Sequence, residues 1–104
     1  MRREICLWVE WNWSQGRLSS KCSDEELLSW ARALAHAMKR QAPARFGSIE
    51  EAATHIAPQI RASLRALSYG AREPADIHPV RMSYLRETFG SLRLDLPKFV
   101  TQLS

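Results

Sequence analysis

Glu4–Lys21, EICLWVEWNWSQGRLSSK, holds three of the four tryptophans of this 104-residue chain and is its only stretch of sustained two-residue alternation. Ile5, Leu7, Val9, Trp11 and Trp13 fall on one side of that alternation, and Cys6, Trp8, Glu10 and Asn12 on the other. Period two in a run rich in aromatic and β-branched residues predicts a strand with one face on a core. Ser14-Gln15-Gly16-Arg17 follows as a turn, with Gly16 free to adopt a positive φ. Folding back there predicts a hairpin over about 4–22, with Glu10 opposite Lys21 as an oppositely charged cross-strand pair. Gln-Gly is weaker hairpin chemistry than Asn-Gly, so the rival is one strand followed by a loop through Leu18–Cys22. In the hairpin register Cys6 and Cys22 face opposite ways and are too distant to bridge. Free thiols suit a reducing compartment, and the pair lacks the spacing of a zinc site.

Outside this stretch the signals are helical. Ser23 and Glu26 form a capping box before an acidic first turn, and Leu27, Ala31, Leu34 and Met38 make an apolar stripe, which predicts a helix over 24–41. Ser48 and Glu51 repeat the device ahead of Ile49, Ala53, Ile56, Ile60, Leu64 and Leu67, predicting a helix over 48–67 that is kinked or broken at Pro58. Pro79 opens a third helix over 79–89, with Val80, Tyr84 and Leu85 inward and Gly90 closing it. Leu92, Leu94 and Leu96 alternate with Arg93 and Asp95 as a short third strand over 91–96, and Pro97 starts a short helix over 97–103. The order implies an α+β fold, helices on one face of a small sheet, in a single domain over 1–104.

Composition narrows the function without naming it. Hydrophobic residues make up 45% and charged residues 25%, which excludes a disordered chain. The apolar run Ile5–Val9 is too short for a signal peptide or a membrane span, so a cytoplasmic protein with no membrane partner is expected. The net charge of +4 is spread along the chain and forms no basic arm, so it permits nucleic-acid binding without pointing to it. The three histidines do not converge. Glu51 and His55 stand at i,i+4, but two groups fall short of a ligand set, and neither a metal nor another cofactor is expected. With no catalytic spacing and no glycine-rich phosphate loop, an enzyme or enzyme subunit ranks third among the readings.

Two surfaces carry the remaining readings. On the outer face of the expected strand, Trp8 and Asn12, with Arg17 and Lys21 nearby, combine an aromatic with cations as interface hot spots do. That favours a small non-enzymatic module, a regulator, inhibitor or adaptor, acting by protein–protein interaction. The bland alternative is that another part of the chain covers Trp8. A homo-oligomer through an exposed strand edge fits the same picture. The alternative partner is nucleic acid, through a degenerate helix-turn-helix-like segment at 49–67 that would present Gln59, Arg61 and Arg65. Pro58 just after the turn position, the lack of a turn glycine and Ser63 at a usually aliphatic position all count against it.

Overall fold

A computed structural model describes residues 2–41, 47–69 and 73–89 of the chain. These form four α-helices: α1 (Arg2–Ser14), α2 (Asp24–Gln41), α3 (Ile49–Ser68) and α4 (Pro79–Phe89), with a 3-10 turn at Pro74–Asp76 before the last. No strand occurs among the described residues, so the α+β expectation is replaced by an all-helical fold. The expected strand at 91–96 and helix at 97–103 lie outside the described residues.

The largest correction falls on the hairpin over 4–22, whose first half is α1. Ile5, Trp8, Val9, Asn12 and Trp13 follow the i, i+3, i+4, i+7, i+8 spacing of one helical face, and all are buried. Leu7 and Trp11 pack against the same core from the flank of the helix. Because α1 is enclosed on most of its circumference, odd-numbered residues are apolar as well, and a period of two appears inside a period of 3.6. Burial against other helices outweighs the strand preference of tryptophan and valine, which is itself mostly a preference for a half-buried surface.

Gly16 does adopt a positive φ, 76°, but it ends a helix instead of reversing a strand. Its N–H donates to the Trp13 carbonyl at 3.1 Å, and the Arg17 N–H donates to the Asn12 carbonyl at 3.0 Å. This pair of bonds is the Schellman arrangement, which satisfies two of the helix's last carbonyls. The Asn12 side chain, wholly buried, donates from Nδ2 to the Trp8 carbonyl at 2.8 Å. Leu18 then enters the core, so the connection to α2 is anchored by its own apolar residue.

The helix expected over 24–41 is found as α2. Ser23 Oγ accepts from the Glu26 N–H at 3.1 Å, and a Glu26 carboxylate oxygen accepts from the Ser23 N–H at 3.3 Å, completing the box. Leu27, Ala31, Leu34 and Met38 are all buried. Ser48 caps α3 in turn, accepting from the Glu51 N–H at 3.4 Å. Replacing Ser23 or Ser48 with alanine is expected to lower stability by about 0.5–2 kcal/mol each, read as a shift in the urea midpoint. An unchanged midpoint for both would contradict these helix starts.

α2 and α3 run antiparallel. Arg61 in the second half of α3 reaches Asp24 at the start of α2 at 2.9 Å, while Arg32 in mid-α2 pairs with Glu50 at the start of α3 at 2.7 Å. The hydrogen bond from Arg32 holds the Glu50 carboxyl below the usual glutamate range. Ala53, Ile56, Ile60 and Leu64 give α3 the buried stripe expected of it. α3 continues through Pro58 as one helix, which resolves the kinked-or-broken alternative in favour of an unbroken element. Pro58 is tolerated because it is exposed and so is Thr54, whose carbonyl loses its usual donor on the solvent side. Gln59 assists the same turn by donating from Nε2 to the His55 carbonyl at 3.3 Å.

α4 packs on α1 through Leu85 and Phe89, the latter stacked on Trp11 with centroids 6.4 Å apart. His78 starts it. Its carbonyl accepts from the Met82 N–H at 2.9 Å, and its Nδ1 accepts from the Val80 N–H at 3.1 Å. The expected inward set needs correction: Leu85 is buried, but Val80 is 72% and Tyr84 45% exposed. The inward stripe runs Met82, Leu85, Phe89, in steps of three and four, and places Val80 and Tyr84 on the flank.

Candidate functional site: the cleft between α1 and α4

Between α1 and α4, Cys6, Leu7, Glu10, Arg81 and Tyr84 line an open cleft of about 500 Å³. Glu10 comes from the side of α1 next to its core face, and Arg81 from the first turns of α4. Arg81 donates from Nε to Glu10 Oε2 at 3.0 Å and from Nη2 to Oε1 at 2.6 Å. Such a two-bond fork is among the stronger pairings available to a guanidinium. It takes the place of the expected Glu10–Lys21 pair.

The two partners are unequally shielded, with side-chain exposures of 11% for Glu10 and 46% for Arg81. The hydrogen bonds that Arg81 donates to Glu10 raise the Arg81 pKa above its ordinary value. Its carbon lies 5.8 Å from the centroid of the Tyr84 ring, within cation–π range. At the α1 end, Cys6 Sγ and Ser63 Oγ of α3 are hydrogen-bonded at 3.1 Å. Cys6 and Cys22 are both free thiols.

The residues expected on the outer face of a strand are separated by the helix. Trp8 is 2% exposed, its ring edge-on to Trp30 of α2 with centroids 5.8 Å apart. Its indole N–H is buried without a partner among the described residues. Asn12 is in the core beside it, and neither side chain reaches the surface. Arg17 and Lys21 are exposed. Arg17 donates weakly to Asn12 Oδ1 at 3.5 Å, and Lys21 lines a second groove with Trp13, Leu18, Ser68 and Glu73. The strand edge proposed for self-association has no counterpart among the described residues.

The expected nucleic-acid face is likewise dispersed. α3 has no turn in its middle, so 49–67 lacks helix-turn-helix geometry. Gln59 is half-buried and bonded to its own helix. Arg61 is engaged by the Ser20 and Cys22 carbonyls at 3.3 and 2.8 Å as well as by Asp24, and fastens the α1–α2 connection to α3. Arg65 is exposed. Glu51 and His55 are both exposed, and no group of three or more His, Cys, Asp or Glu converges among the described residues.

Sequence reasoning missed Val80, Arg81 and Tyr84 as a surface. The signal lay in α4 itself, where the spacing of Met82, Leu85 and Phe89 already fixes the inward side. Comparison of the chain with known protein families, with curated proteins and with solved structures returns no match. No helix among the described residues is long and apolar enough to cross a membrane.

Proposed function

We propose that this chain is a small cytoplasmic binding module, a regulator, inhibitor or adaptor, whose α1–α4 cleft receives a segment of a partner protein. The observation that carries the reading is the exposure of Tyr84 beside Arg81 in the lining of that cleft. Tyrosine and arginine are the residue types over-represented at interface hot spots, and a concave site lets them exclude water around a contact. Free Cys6 and Cys22 suit a reducing compartment. Nucleic acid is the weaker reading, because Arg61 is spent on the protein's own backbone and on Asp24.

Selection of 12-residue peptides displayed on phage against the folded chain tests the proposal. Peptides are expected to be enriched whose binding falls at least tenfold with Tyr84→Ser, while the thermal midpoint of that variant stays close to the parent's because Tyr84 is nearly half exposed. Equal binding to parent and Tyr84→Ser would contradict the cleft as the site. Displacement of the peptides by random duplex DNA, steeply weakened by salt, would favour the nucleic-acid reading instead.

A further inference from the structure

Resting on the cleft as the docking site, we propose that its occupant is an acidic amphipathic segment. One of its carboxylates meets the outer edge of Arg81, and an adjacent apolar side chain lies against Leu7 and Tyr84.

The inference follows from how the Glu10–Arg81 pair is presented. A guanidinium has five N–H donors in a fixed plane. Two of the five on Arg81, one from Nε and one from Nη2, donate to Glu10. The remaining three, two on Nη1 and one on Nη2, take no partner among the described residues. The acid is the shielded member and the cation the exposed one, 11% against 46%. Although the pair is formally neutral, an approaching ligand therefore meets the positive edge first. A carboxylate placed across Nη1 and Nη2 accepts two of these three donors on the side away from Glu10. Tyr84 is 45% exposed, and its ring already carries the guanidinium near its face, so an apolar side chain laid on it shields the new ion pair from water. The chain's net charge of +4 favours approach of an acidic partner over a basic one.

The test uses a peptide from the selection above, labelled for fluorescence anisotropy, and a version with its Asp and Glu changed to Asn and Gln. Altering the peptide leaves the Glu10–Arg81 pair and the fold untouched. The selected sequences are expected to place an acidic residue within four positions of a large apolar one. Neutralising the acids is expected to weaken binding about tenfold, the equivalent of 1.4 kcal/mol, and the loss should shrink as salt is raised. Arg81→Lys, which keeps the charge without the fork, is expected to bind the unaltered peptide more weakly than the parent does. A neutralised peptide that binds equally well while Tyr84→Ser still abolishes binding would overturn the acidic occupant and leave the cleft as the site. Loss of the Tyr84 dependence would overturn both.

Discussion

Trp8→Ala is expected to lower the unfolding free energy by about 3–5 kcal/mol, the range for truncating a buried large aromatic. That is a large part of the total stability of a domain this size, of order 5–15 kcal/mol. Trp8 lies on the buried stripe of α1, its ring edge-on to Trp30 of α2, so the cavity would open within the core. Trp8→Phe separates the ring from its polar atom. The buried indole N–H has no partner among the described residues, and an orphaned donor of this kind costs about 1–3 kcal/mol. Removing it offsets much of the lost ring contact, and Trp8→Phe is expected to fall within about 1 kcal/mol of the parent. Urea unfolding of the three proteins gives both numbers. A small loss for Trp8→Ala would mean that Trp8 is at the surface, as the strand reading allowed.

Pro58→Ala is expected to raise stability by about 2 kcal/mol. Proline in a helix interior costs roughly 3 kcal/mol relative to alanine, through the missing N–H and the crowding of the preceding turn. Against this, proline restricts the unfolded chain, a stabilisation of about 0.4–1 kcal/mol that the substitution gives up. Because Pro58 is exposed, alanine there disturbs no core contact, and the restored N–H can reach the Thr54 carbonyl. A loss of stability in the same urea titration would show that α3 is not a continuous helix through this point.

How much of this fold can be read in the residues differs from helix to helix. α2 is legible from its ends and its stripe together, since Ser23 and Glu26 cap it and Leu27, Ala31, Leu34 and Met38 keep one period throughout. α3 is legible except at Pro58, where local propensity argues for a break and continuous burial from Ala53 to Leu64 overrides it. α1 is misleading for a physical reason. A helix covered on several sides is apolar on several sides, and the residues 5, 7, 9, 11 and 13 then alternate by coincidence with the stripe 5, 8, 9, 12 and 13. The informative residue was Asn12, a polar side chain on that stripe whose carbonyl is needed by the turn at Gly16.

The cleft was illegible because it depends on two residues 71 positions apart, Glu10 and Arg81, meeting across α1 and α4. Neither has a local signature. Once α1 is taken for a strand, Glu10 turns toward Lys21 and the cleft cannot be assembled. The fold of residues 5–13 therefore determines whether the functional proposal has a site at all.

Backbone resonance assignment of the full chain by NMR tests that point most directly. The helical account predicts downfield Cα shifts from random-coil values across Ile5–Trp13, with Hα(i)–Hβ(i+3) Overhauser contacts such as Ile5 to Trp8 and Val9 to Asn12. Upfield Cα shifts over the same residues, with cross-strand Hα–Hα contacts between 5–13 and 18–22, would contradict it.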